Sequence, residues 1–142
     1  MSQNVVRLHY NIDANDFSSA GEASSATKST MTKLGINPSI IKKVAISMYE
    51  AEINAIIHAG GGEANVEITS EQVVVIISDD GPGIPDIQLA MKVGFSTASD
   101  SVRDLGFGAG MGLPNIERYS DELLVESIVG IGTRLTIKVN IF

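Results

Sequence analysis

The chain has 142 residues, 44% of them hydrophobic and 19% charged, with a formal net charge of −7. That length fits one domain, 1–142, and the composition excludes bulk disorder. The acidic balance argues against non-specific binding to nucleic acid or an anionic membrane, and leaves an acidic surface free to meet a basic partner. Cysteine is absent, so a disulfide frame and a thiolate metal site are excluded. No apolar run is long enough to span a membrane or to form a signal peptide, so a soluble cytoplasmic protein is expected.

Val6, Leu8, Tyr10 and Ile12 alternate with Arg7, His9 and Asn11, which predicts a half-buried strand with His9 on its polar face. From about Asp16 to Leu34 the pattern is helical, with Phe17, Ala20, Ala23, Met31 and Leu34 on the apolar stripe and Gly35 placed to end it. Asn37-Pro38 then reads as an N-cap followed by proline at the first helical position. The helix so started runs to a glycine stop at Gly60-Gly61-Gly62. Its core side carries Ile41, Val44, Ala45, Met48, Ala55 and Ile56. Its polar stripe carries Glu50 and Asn54, one turn apart, with Lys43, Ser47 and His58 nearby. Such a pair serves as a solvated stripe in many helices. It also suits one chemistry: the carboxylate can take a proton from a hydroxyl, and the carboxamide oxygen can hold Mg²⁺. His58, in the last turn, complements the helix C-terminus.

Ala64, Val66 and Ile68 alternate in a second strand, and Ser70-Glu71 turns the chain into Val73–Ile77. This β-branched run reads as a strand buried on both faces, paired with its predecessor as a hairpin. Asp79-Asp80-Gly81-Pro82-Gly83-Ile84-Pro85 follows directly. It is either a tight turn or a place where backbone comes close to a flat ligand and an acid accepts from an exocyclic amine such as that of adenine. Residues 92–110, rich in Gly, Ser and Asp, predict a long functional loop. Gly106-Phe107-Gly108-Ala109-Gly110-Met111-Gly112-Leu113 then leads into a short helix from Pro114 to about Ser120. Glycines ahead of a helix start are either a linker or an anion site built from backbone N–H groups; no Lys-Ser/Thr follows, so this is not a P-loop. Leu123–Ile128, a turn at Gly130-Ile131-Gly132, and the alternation of Leu135, Ile137, Val139 and Ile141 predict two closing strands. The expected fold is α+β, a two-layer α/β sandwich whose mixed, mostly antiparallel sheet carries helices on one face.

Together these segments resemble the GHKL ATP-binding (Bergerat) fold of histidine kinases, gyrase, Hsp90 and the small anti-sigma-factor serine kinases. Glu50-(x3)-Asn54 is similar to its N box, Asp79-x-Gly81-x-Gly83 to its G1 box, Gly108-x-Gly110-x-Gly112 to its G2 box, and Gly132-Thr133 to the closing Gly-Thr. Ser47–His58 and the run from Met111-Gly112-Leu113-Pro114-Asn115-Ile116 to Ser127 resemble the anti-sigma and switch-protein serine kinases most. The resemblance implies an ATP- and Mg²⁺-dependent protein-serine/threonine kinase. Glu50 would be the general base and Asn54 the Mg²⁺ ligand. Asp79 would accept from the adenine amine, with Thr133 beside it. Gly81 and Gly83 would bring backbone to the base, and Gly108, Gly110, Met111, Gly112 and Leu113 would offer N–H groups to the phosphates. The implied substrate is a small regulatory protein of the anti-sigma-antagonist kind, with a sigma factor, a phosphatase or a second copy of the chain as further partners. One departure stands out: the sporulation-type kinases carry an Arg where Phe107-Gly108 stands, leaving Lys92 and Arg103 as the basic residues of the loop. That departure also admits a second expectation, a nucleotide-gated module that sequesters a regulator with little catalysis.

Overall fold

A computed structural model of the chain describes residues 5–13, 21–91 and 112–141. Strand β1 spans Val6–Asp13, helix α1 Glu22–Lys33, helix α2 Pro38–Ala59, strand β2 Gly61–Ile68 and strand β3 Gln72–Asp79. A single turn, α3, covers Ile87–Ala90; helix α4 covers Gly112–Tyr119, and strands β4 and β5 cover Glu122–Ile128 and Gly132–Asn140. The strands form one sheet in the order β1-β2-β3-β5-β4. All four pairings among the described residues are antiparallel, in keeping with the mostly antiparallel sheet expected from the sequence.

The α+β sandwich itself is as expected, with the helices on one face. Along β2, β3 and β5 the core-facing residues alternate with half-buried or exposed ones: Ala64, Val66 and Ile68 on β2, Val73, Val75 and Ile77 on β3, Leu135, Ile137 and Val139 on β5. This corrects the reading of Val73–Ile77 as buried on both faces. Val74 and Ile76 are only half-buried, on the side that no helix among the described residues covers. A β-branched run packs well on a pleated surface whether one face or two are closed, so the run by itself does not distinguish the cases.

The helix α2 lies across the sheet and supplies Ile41, Val44, Met48, Ala51, Ala55 and Ile56 to the core. Its start is as predicted: the Asn37 side chain accepts from the Ser39 N–H at 2.9 Å, with Pro38 behind it. Its end is sharper than expected. Gly60 alone makes the left-handed stop, at φ 74°, and Gly61 and Gly62 are already in β2. Ser47 is not part of the exposed stripe: it is fully buried and its hydroxyl donates to the carbonyls of Lys43 and Val44. No helix among the described residues is long and apolar enough to cross a membrane.

Helix α1 begins later than predicted, and Phe17 and Ala20 lie outside the described residues. Ala23 and Met31 are buried as expected, but Leu34, the C-cap, is 49% exposed. The first residues of α1 have no local side-chain cap. Their N–H groups are met instead by a carboxylate from α2. Glu52, 2% exposed, accepts from the backbone of Gly21, Ala23 and Ser24 at 2.9, 3.3 and 3.1 Å. A buried carboxylate with three N–H donors is satisfied, and it welds the two helices.

Glu52→Ala removes that acceptor and leaves three donors without a partner, so unfolding in urea should show a loss of about 3 kcal/mol. Glu52→Gln, which keeps one acceptor oxygen, should lose less. Equal, small losses for both would mean that α1 is held by its apolar face alone.

Candidate functional site

Glu50 and Asn54 project from the side of α2 that faces away from the sheet, both half-buried. Helix α4 covers this side. Ile116 is fully buried and Leu113 nearly so, which sets the rotation of α4 against the core. Two side-chain pairs give its direction. Lys43, near the start of α2, lies 3.6 Å from Asp121 just beyond the end of α4. Glu50, seven residues further along α2, is hydrogen-bonded to Asn115 in the first half of α4. The helices are therefore antiparallel, and continuing the same pairing brings the start of α4, at Gly112 and Leu113, level with Asn54. The first N–H groups of a helix have no partner within it. Of the predicted glycine segment, Gly108, Gly110 and Met111 lie outside the described residues, as do Lys92 and Arg103 of the loop.

Burial pushes the Glu50 carboxyl above the ordinary carboxylate range, and the hydrogen bond from Asn115 pulls partly back. A carboxylate raised in this way is a better proton acceptor near neutral pH than a solvated one.

The second half of the site is at the end of β3. Asp79 stands opposite Thr133 in the β3–β5 ladder. Its Oδ1 accepts from the N–H of Gly81 at 2.9 Å and from the N–H of Thr133 at 3.2 Å. Both bonds fall on Oδ1, and among the described residues no backbone N–H is bonded to Oδ2. Gly81 and Gly83 have direct reasons to be glycine in the packing around the loop. A Cβ on Gly81 would run into Ala59 at the end of α2. Gly83 has φ 79° and abuts the Ile128 carbonyl, so a side chain there is both strained and blocked.

Three participants take roles that the sequence reading did not give them: Ser127 and Asn115 had none beyond their place in a segment, and His58 was expected only to complement the end of α2. Ser127 accepts from the Ile84 N–H at 2.7 Å and shares a hydrogen bond with the Thr133 hydroxyl at 2.9 Å. With the Gly130 N–H to the Pro82 carbonyl, it fastens the loop after β3 to the β4–β5 hairpin. Asn115 is the second. The third is His58, whose imidazole feels Asp79; burial lowers its pKa and the aspartate raises it by a smaller amount. Helical and strand periodicities cannot announce such contacts, because each joins elements far apart in the chain. Among the described residues no group of three His, Cys, Asp or Glu side chains could hold a metal ion. A cation beside Asn54 would need most of its oxygens from a ligand, which is how Mg²⁺ is held on phosphates.

The sequence profile of the family described as histidine kinase-, DNA gyrase B- and HSP90-like ATPase matches residues 47–141. The serine/threonine-protein kinase RsbT of Bacillus subtilis is 33% identical over 97 residues, which cover 66% of this chain and 67% of that protein. The anti-sigma F factor of Clostridium novyi is 35% identical over 104 residues, 69% of each chain. Two solved structures share the fold at 16% sequence identity. One contains the RsbU and RsbW domains of a Mycobacterium tuberculosis protein, with a TM-score of 0.65, 94% of this chain matched and 32% of that one. The other is the SiaB–SiaC complex of Pseudomonas aeruginosa, with a TM-score of 0.64, 96% of this chain matched and 90% of that one. The chain thus spans about two thirds of the two curated relatives and about a third of the M. tuberculosis chain.

His58 offers a check on this geometry. Its folded-state pKa lies below the ordinary value, so the unfolded chain binds the proton more readily. The stability this gives is present above about pH 6.5 and is lost as pH falls from there towards the folded pKa. The melting temperature should drop across that window in the wild type, and the drop should be smaller in His58→Asn. Identical profiles would show that the imidazole is not buried.

Proposed function

This chain belongs to the histidine kinase-, DNA gyrase B- and HSP90-like ATPase family, among its serine/threonine-kinase and anti-sigma-factor relatives, and we propose that it transfers the γ-phosphoryl group of ATP to a serine of a small regulatory protein of the anti-sigma-antagonist kind. The observation that carries the proposal is Glu50: a half-buried carboxylate with its pKa raised by burial, one helical turn from Asn54 and beside the start of α4.

The donor set fits Mg-ATP. Asp79 has an oxygen free of backbone bonds at the mouth of the sheet, suited to the exocyclic amine of adenine, and the Thr133 N–H holds the carboxylate in place. Gly81 and Gly83 keep the loop backbone tight against α2 and the hairpin, beside the place for the purine. Asn54 would hold Mg²⁺ through its side-chain oxygen. Gly112 and Leu113 would present N–H groups to the phosphates, joined by Gly108, Gly110 and Met111. When bound, Mg-ATP supplies the phosphoryl group and the positive charge that offsets its oxygens. Glu50 would take the proton of the serine hydroxyl as that oxygen bonds to the γ-phosphorus and the bond from the γ-phosphorus to the departing ADP breaks. Positioning and charge neutralisation are most of what this transfer needs, so one base and a set of donors suffice.

In this reading residues 1–142 form one kinase domain that works in the cytoplasm. A sigma factor, a phosphatase or a second copy of the chain would be its other partners. The anti-sigma F factor relatives, at up to 35% identity, favour a second reading in which nucleotide-dependent sequestration of a regulator matters more than transfer.

Incubation with Mg-ATP and a candidate regulatory protein should give phosphoserine, read by mass spectrometry. Nucleotide binding without transfer to any candidate would leave the sequestering module. Glu50→Gln should cut transfer by about a hundredfold or more with ATP affinity kept. Because burial disfavours the charged form of Glu50, the same variant should melt at a higher temperature at neutral pH, not a lower one. Asp79→Asn replaces an acceptor with a donor and should weaken ATP binding by roughly ten- to a hundredfold in calorimetry.

A further inference from the structure

Asn115 is the fourth residue of α4, past the positions where asparagine caps a helix, and in a helix interior asparagine is a poor former. Its neighbours Leu113 and Ile116 are buried and fix the rotation of the helix, so its own side chain has a set direction. That direction ends on the Glu50 carboxyl. An ionised carboxylate only accepts, so the Asn115 amide N–H donates and the bond favours the charged form. The two influences on Glu50 among the described residues are burial first and this bond second; the nearest basic group on its own stripe of α2, Lys43, is two turns away and already paired with Asp121.

We propose that Asn115 is a positioning residue for Glu50: it holds one carboxylate oxygen, turns the other towards the substrate hydroxyl, and ties the base to the helix that begins at the glycine segment. This rests on the reading of Glu50 as the base and deepens it. One hydrogen bond removes the free rotation of a half-solvated carboxylate. It also makes the base answer to the position of α4, since the partner belongs to that helix and not to α2. Base and phosphate donors are then set by one element: Gly112 and Leu113 at its start, Asn115 within its first turn.

The test uses Asn115→Ala, Asn115→Asp and Asn115→Gln in the full chain. The Glu50 carboxyl is followed by ¹³C NMR in nucleotide-free protein, and transfer is measured against pH with Mg-ATP and a regulatory protein. In Asn115→Ala, Glu50 should titrate at higher pH than in the wild type, and the acidic limb of the pH–rate profile should move the same way. Transfer should fall by about tenfold or more while KM for ATP stays within about twofold. Asn115→Asp sets like charges together and should move the limb further. Asn115→Gln keeps the donor and should recover part of the rate; it also serves if the alanine variant fails to fold. An unmoved Glu50 titration in a folded variant overturns the proposal, and so does a moved titration with an unchanged rate. Full activity of Glu50→Gln would instead sink the reading of the base, while the NMR shift still reports on the hydrogen bond.

Discussion

The close seating of α2 on the sheet governs the rest of the molecule. Val44, Met48, Ala51 and Ala55 are almost fully removed from water, and the two alanines let the helix backbone approach the strands. Each larger side chain so buried contributes on the order of 2 kcal/mol. With that face spoken for, the remaining sides of α2 are assigned by geometry. One flank meets the start of α1 through Glu52, the other meets α4 through Glu50 and Lys43, and the last turn meets the loop after β3 through Ala59. A shift of α2 along the sheet would disturb all three contacts together, because a close-packed interior does not deform by small degrees.

The other half of the site is built from strand ends. Asp79 and Thr133 are cross-strand partners, so the sheet register alone brings them together. The aspartate then spends one oxygen on two backbone N–H groups, which fixes its plane. Ser127 and the Gly130–Pro82 contact hold the loop against the hairpin from the other side. One carboxylate held by main chain and another held by a neighbouring helix are both stiff arrangements. That suits a reaction in which the protein contributes mostly placement.

Much of this was legible in the sequence, and the failures have physical causes. Alternation marked the strands, Asn37-Pro38 marked the start of α2, and the order of Glu50, Asn54, Asp79, Gly81, Gly83 and Thr133 resembled the motifs of the family whose profile matches residues 47–141. The run Val73–Ile77 misled because residue type reports on strand formation more than on how many faces are covered. Gly61 and Gly62 looked like part of a stop; a side chain at Gly62 would collide with the Ser78 carbonyl, so close strand approach accounts for its glycine. Glu52 stayed invisible because its partners lie 28 to 31 residues earlier, beyond the reach of any helical period. Ser127 and Asn115 were hidden for the same reason.

Glu50 and Glu52 are separated by one residue and are chemically identical, yet the fold gives them unrelated employment: one is half in water with an amide beside it, the other is sealed among main-chain donors. If Glu50 acts as proposed, a survey that scored only turnover would find both indispensable and could not say which one meets the substrate. Telling chemistry from architecture in this protein therefore requires that folding and turnover be followed side by side, since the helix places the two kinds of carboxylate within a single turn of each other.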